Sequence, residues 1–169
     1  MADKTPLRDY QRALAERLRG GESRVAASKL GVRVGGENWL VELVDAGEII
    51  AVPPVTPVPL TRAWFKGMTS IRGRLYSVVD FSAFLGGAPA PATDQSRLLL
   101  IGERFRTGAA LLVDRSLGLR SPAELKERPG GGNAQPWVKA EYTDPDGGSW
   151  KELDITTLVH HPAFLGVAA

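Results

Sequence analysis

Residues 39–86 read WLVELVDAGEIIAVPPVTPVPLTRAWFKGMTSIRGRLYSVVDFSAFLG. Trp39 to Val44 is rich in Val, Leu and Trp, the composition of a half-buried strand. Asp45 to Gly47 form a short turn before a second extended run, Glu48 to Val52. The stretch VPPVTPVPL (residues 52–60) then places four prolines in nine residues. Each proline removes an amide donor and restricts the residue before it, so this stretch is neither a central strand nor a helix but an extended, rigid connector. Beyond it, Gly67 to Ile71 and Arg74 to Val79 are predicted strands, with Gly67 and Gly73 at positions that allow a bulge or a turn with positive φ. Asp80 is placed to cap a short helix over Phe81 to Leu85.

The same grammar extends outward in both directions. Leu30 to Val34 and Trp39 to Val44 form a hairpin around Gly35-Gly36. Within the second strand Trp39, Val41 and Leu43 alternate with Leu40, Glu42 and Val44, so one set faces a core and Glu42 marks the wetter face. Downstream, strands are predicted at Arg97 to Ile101, Gly108 to Val113, Leu117 to Arg120, Val138 to Tyr142 and Trp150 to Leu153. The last two flank the turn sequence Asp144-Pro145-Asp146-Gly147-Gly148. Short helices fit Ala123 to Glu127 behind Ser121 and Ile155 to His160 behind Asp154. Gly86 to Ser96 and Arg128 to Gln135 read as flexible loops that separate two halves. Many short strands with frequent turns imply a barrel or sandwich.

At the N-terminus Thr5-Pro6 opens an amphipathic helix in which Leu7, Tyr10, Leu14 and Leu18 form one stripe, flanked by Arg8, Arg12 and Arg19 and closed by Gly20-Gly21. This stripe packs on its own domain or docks on a partner. Residues 1–27 are therefore read as a helical extension, and residues 28–166 as the main domain.

A chain of 169 residues with 43% hydrophobic and 24% charged content has the composition of one globular domain, or of two small subdomains in one chain. No apolar run approaches a membrane span, and the first residues lack the apolar core of a signal peptide, so a cytoplasmic protein without membrane insertion is expected. The pI is 9.1 but the net charge is only +2, which is not the footprint of a nucleic-acid binder. The absence of cysteine excludes disulfides, thiolate zinc sites and cysteine nucleophiles.

Catalysis finds little to work with. His160 and His161 are adjacent, and neighbours point apart on a helix or a strand, so they do not converge on a metal. Gly130-Gly131-Gly132 lacks the context of a phosphate loop and reads as a linker. Asp144 and Asp146 lack the further ligands of a calcium loop. No enzyme, cofactor or metal site is expected. Instead the segment from Val55 through Val79 contains no acid and carries Arg62, Lys66, Arg72 and Arg74, a cationic surface suited to an acidic partner. Arg72 is predicted at the exposed end of a strand beside Gly73, where pairing with a carboxylate or with solvent is the plainer alternative. A different use of these residues is an OB- or SH3-like nucleic-acid module in which Arg72 and Arg74 hold phosphate and Trp64 or Phe65 stack bases.

The run from Trp39 to Gly86 resembles the signature of CheW-like coupling proteins of bacterial chemosensory systems. The shared features are an apolar strand, a proline connector, the Phe65-Lys66-Gly67 step, the Ser70-Ile71-Arg72-Gly73 tetrapeptide and the Val79-Asp80 close. The family has asparagine where this chain has Ser70, a shorter side chain with one donor fewer. The resemblance covers residues 28–166 and implies a mainly β fold of two adjoining five-stranded SH3-like barrels with a few short helices. It further implies a non-catalytic adaptor between the cytoplasmic tip of a methyl-accepting chemoreceptor and the regulatory domain of a CheA-type histidine kinase, recruited to membrane-associated receptor arrays. Lys66, Ser70, Arg72, Gly73 and Arg74 are the implied partner-binding residues, with Leu7, Tyr10, Leu14 and Leu18 as a docking stripe. The N-terminal helix and the serine variant are most similar to the branch serving type IV pilus twitching motility, with flagellar chemotaxis as the alternative output.

Overall fold

The computed structural model describes residues 15–20, 28–129 and 135–169. Residues 15–20 are helical (α1) and exposed. Leu18 of the stripe is 61% exposed; Leu7, Tyr10 and Leu14 lie outside the described residues.

Among the described residues, eleven strands form two sheets. The first contains β1 (Lys29–Val34), β2 (Glu37–Glu42), β8 (Arg115–Arg120), β9 (Lys126–Glu127), β10 (Val138–Thr143) and β11 (Ser149–Leu153), in the order β8-β1-β2-β11-β10-β9. The second contains β3 (Ala46–Ala51), β4 (Phe65–Ile71), β5 (Arg74–Asp80), β6 (Arg97–Ile101) and β7 (Ala109–Val113), in the order β3-β6-β7-β5-β4. Three further helices are α2 (Phe81–Phe84), α3 (Ile155–His160) and α4 (Pro162–Leu165). The mainly β expectation holds; where two five-stranded barrels were expected, the described residues form two sheets, the first of six strands and the second of five.

The extra strand comes from a corrected segment. Ala123 to Glu127 is not a helix: a 3-10 turn spans Pro122–Glu124, Ser121 makes no side-chain cap, and Lys126–Glu127 pairs with β10. Pro122 starts the turn, but nothing sustains it. Asp80 and Asp154 do cap helices, accepting from the Ala83 and Thr157 amides at 3.1 and 3.0 Å.

Both sheets curl. Among the described residues no ladder joins β3 to β4, yet the connector after β3 is stitched along β4. Thr56 and Met68 exchange backbone hydrogen bonds of 2.8 and 2.9 Å, and Thr69 Oγ1 donates to the Pro54 carbonyl at 2.8 Å. Gly67 makes this approach possible: its φ is +133°, and a Cβ there would lie 2.0 Å from the Thr56 carbonyl oxygen. In the other sheet residues 121–125 carry the chain from edge strand β8 to edge strand β9.

The two predicted flexible loops do not divide the halves, because each connects elements of one sheet. The chain changes sheets instead at Asp45 and at Asp114. The Asp45 backbone bonds to Glu42 and Gly102, and the Asp114 amide donates to the Arg33 carbonyl. Nor is residues 86–96 a loose loop: the buried Asp80 carboxylate accepts from the Ala90 amide at 2.9 Å, and the Ser82 hydroxyl donates to the Ala88 carbonyl at 2.7 Å.

One hydrophobic cluster joins the two sheets. It takes Leu30, Val32, Trp39 and Val41 from the first, Val79, Leu99 and Leu111 from the second, and Phe81, Ile155, Leu158 and Phe164 from the helices. A second cluster of Val78, Leu98, Leu100 and Ala110 fills the inside of the five-stranded sheet. Strands β6 and β7 are thus buried on both faces, which is why they read as continuous apolar runs. The same holds for β2, where the expected alternation fails: Leu40 is as buried as Trp39 and Val41.

Candidate functional site

Strands β4 and β5 meet in a two-residue turn, since Ile71 pairs with Arg74 and leaves Arg72 and Gly73 as the loop. Both have positive φ, +51° and +78°, as a tight primed hairpin turn requires. Glycine adopts this backbone freely; arginine does so against Cβ sterics, so the surrounding hairpin must hold it. The turn carries Arg72 to the exposed end of the strand, as the sequence predicts, with its side chain 73% exposed.

Arg72 also takes its plainer role. Its guanidinium donates two bonds, of 2.7 and 2.8 Å, to the Glu48 carboxylate on β3. The bidentate contact runs from the β4–β5 turn to the opposite edge strand β3 and holds the Glu48 carboxyl below its usual range. Both groups face solvent, so the pair contributes little to stability. Arg74 pairs with Glu103 and Arg104 with Asp45. Burial outweighs Arg104 at Asp45 and raises its carboxyl.

Ser70, Arg72, Gly73 and Arg74 are brought together at the hairpin end. Ser70 is exposed, its hydroxyl has no hydrogen bond among the described residues, and it pairs across the ladder with Leu75, which is 69% exposed. Lys66 is not part of this group. Four residues along β4 put it roughly 13 Å away, and its Nζ lies 3.6 Å from the buried Asp80 carboxylate. The hairpin end thus offers fixed cations, a free hydroxyl and an apolar side chain, a set suited to docking.

Sequence reasoning did not find Glu48, Glu103 or Arg106 at this end of the sheet. Glu48 lies 24 positions before Arg72, and only the curl of the sheet brings them together. Other expected features have local explanations. Asp144 Oδ1 accepts from the Asp146 and Gly148 amides and Oδ2 from the Trp150 indole, which lowers its carboxyl, so this aspartate organises its turn. His161 Nδ1 accepts from the Ala163 amide and His160 Nδ1 contacts the Thr156 carbonyl. Among the described residues no group of three or more His, Cys, Asp or Glu is placed to hold a metal, and no helix is long and apolar enough to cross a membrane. Trp64 and Phe65, the stacking platform of the nucleic-acid alternative, pack half-buried against the core, with the Trp64 ring edge-on to Phe84 at 5.2 Å.

The chain is 29% identical over 145 residues to Protein PilI of Pseudomonas aeruginosa, covering 83% of this chain and 80% of that protein. It is 34% identical over 82 residues to Chemotaxis protein CheW of Rhizobium meliloti, covering 48% and 52% of the two chains. The crystal structure of scaffolding protein TtCheW from Thermoanaerobacter tengcongensis superposes with a TM-score of 0.67 at 16% identity, covering 82% of this chain and 95% of that one, and so shares the fold. Residues 29–163 match the CheW-like domain, and the chain belongs to that family.

Proposed function

We propose that this protein is a non-catalytic cytoplasmic adaptor that couples the cytoplasmic tip of a methyl-accepting chemoreceptor to the regulatory domain of a CheA-type histidine kinase, within membrane-associated receptor arrays that control type IV pilus twitching motility. The observation that carries this reading is the similarity to PilI along most of both chains. The partner-binding residues are Ser70, Arg72, Gly73 and Arg74 at the hairpin end and Lys66 farther along β4. Leu7, Tyr10, Leu14 and Leu18 form a separate docking stripe that governs partner choice.

Arg72→Glu tests the coupling. An exposed residue whose ion pair is worth about 1 kcal/mol or less can be reversed without unfolding the protein, whereas an acidic partner surface would then meet a like charge beside Glu48. The expected result is an unchanged melting temperature with loss of co-sedimentation with receptor-containing membranes and loss of kinase pull-down. Unchanged co-sedimentation and pull-down would refute the role. Deleting residues 1–27 is expected to leave melting unchanged and weaken kinase binding; a drop of several degrees with binding intact would place the stripe on its own domain instead.

A further inference from the structure

Two hollows lie side by side at the open end of the five-stranded sheet. One, of about 360 Å³, is bounded by Arg72 and Glu48. The other, of about 430 Å³, is bounded by Leu75 and Arg106. Arg74, Tyr76, Ile101 and Glu103 line both. The Arg74–Glu103 ion pair therefore stands as a partition across one longer trough. Its side chains are 61% and 74% exposed, so it is the kind of pair that solvent and competing ions readily displace.

Three features of the trough point to the same occupant. Arginine predominates, with Arg72, Arg74 and Arg106 against Glu48 and Glu103, and among the described residues the Arg106 side chain has no ion pair or hydrogen bond. Among the described residues only three other than glycine have positive φ, and two of them, Arg72 and Arg106, sit in the two separate hollows. Arg72 takes this backbone in the primed hairpin turn and Arg106 as the left-handed cap of the 3-10 turn Glu103–Phe105, so local structure fixes where both arginines leave the chain. Leu75, 69% exposed beside Arg74, adds an apolar contact between the cations.

We propose that this trough binds an extended acidic segment of a partner protein bearing an apolar side chain, and that Glu103 is an intramolecular competitor which the segment displaces from Arg74. The incoming carboxylates take Arg74 and Arg106 while the apolar side chain covers Leu75. A polynucleotide fits less well, because its unbroken row of phosphates would meet Glu48 and Glu103, whereas discrete carboxylates exchange with them one at a time. The inference rests on the reading of the Arg72 hairpin as partner-facing and extends it to a third arginine, Arg106.

The test measures fluorescence anisotropy of a labelled glutamate-rich peptide carrying one leucine. Controls are the same peptide with glutamine at every glutamate, and oligo-dT. The full chain is expected to bind the acidic peptide and neither control. Glu103→Gln removes the competitor and should tighten binding roughly two- to fivefold. Arg106→Glu should weaken it about tenfold with melting unchanged. Equal binding of the glutamine peptide, tighter binding of oligo-dT, or no effect of either substitution overturns the proposal. The adaptor reading fails separately: a full chain that binds neither receptor-containing membranes nor the kinase would sink it even if peptide binding still depends on Arg106.

Discussion

Inside the curl of the six-stranded sheet sits a carboxylate, whereas the inside of the five-stranded sheet is lined by Val78, Leu98, Leu100 and Ala110 with Tyr76 packed against them, and the carboxylates that its arginines hold stand at the rim. Glu152, 1% exposed, accepts from Lys29 Nζ at 2.6 Å and from the Tyr142 hydroxyl at 2.7 Å, with Lys139 Nζ at 3.5 Å. Desolvation and the neighbouring carboxylate raise the Tyr142 phenol above its usual range, so it stays a donor. These contacts tie β1, β10 and β11 together. In the other sheet the corresponding space holds Val78, Leu98, Leu100 and Ala110, while Glu48 and Glu103 pair with arginines in water. Buried, an ion pair fixes one arrangement of strands; exposed, it holds a cation in place until something else takes it. The sheet with the dry interior is therefore the one whose charges are available to a partner.

The largest effect should come from moving a carboxylate into the dry interior. Leu98→Asp places an unpaired acid at a fully buried position and should cost about 4 kcal/mol or more, read from denaturant unfolding. If it costs no more than 1 kcal/mol, the inside of the five-stranded sheet is wetter than its packing implies and the contrast collapses.

Glu152→Ala should come next, at about 3 kcal/mol, because it leaves the half-buried Lys29 and Tyr142 hydroxyl without their acceptor. Glu42, 3.8 Å from Lys29, is only a partial substitute. Tyr142→Phe in the same assay should cost about 1.5 kcal/mol, as one hydrogen bond to a charged group is lost. A neutral Glu152→Ala would make the buried carboxylate as dispensable as the rim pairs.

At the rim, Glu48→Ala, Arg72→Ala and the double variant form a cycle whose coupling should be below about 1 kcal/mol and should shrink further with salt. A coupling near that of Glu152 would mean that Arg72 clasps the sheet edges together, leaving less of it for a partner.

Much of this arrangement was legible in the sequence, and what escaped has a physical reason. Local chemistry announced the first hairpin, the helix caps at Asp80 and Asp154, the Asp144 turn and the exposed Arg72, because each is settled by residues within a few positions. The sheet assignment of each strand was not local. The chain crosses between sheets at Asp45, where the Asp45 to Gly47 turn reads like any other, and at Asp114, which has no proline or glycine beside it. The glycine- and proline-rich segments that looked like divisions are hairpin and helix connections within one sheet. Leu40 and Glu152 escaped for a related reason: they face each other across the parallel pairing of β2 with β11, more than a hundred residues apart in sequence. A glutamate in a short strand reads as solvent-facing until its lysine, on another strand, is known.

The smallest effect separates the members of the buried network. Glu42 borders it, accepting from Lys139 Nζ at 2.6 Å with its side chain 35% exposed. That hydrogen bond, with help from Lys29, lowers its carboxyl below the usual glutamate value of 4.5 against the opposing effect of burial. On acidification the unfolded chain therefore takes up this proton first. The stabilisation is full above about pH 4.5 and is lost as the pH falls through the lower folded value. Partial exposure screens the pair, so Glu42→Gln should cost only about 0.5 kcal/mol near neutral pH. The gap between variant and parent should close in acid, where Glu42 is protonated and neither chain carries a charge there. A gap that persists in acid would assign the loss to packing rather than charge. A loss as large as that of Glu152→Ala would mean that the network acts as one unit, and that burial does not divide the six-stranded sheet's carboxylates as it divides those of the two sheets.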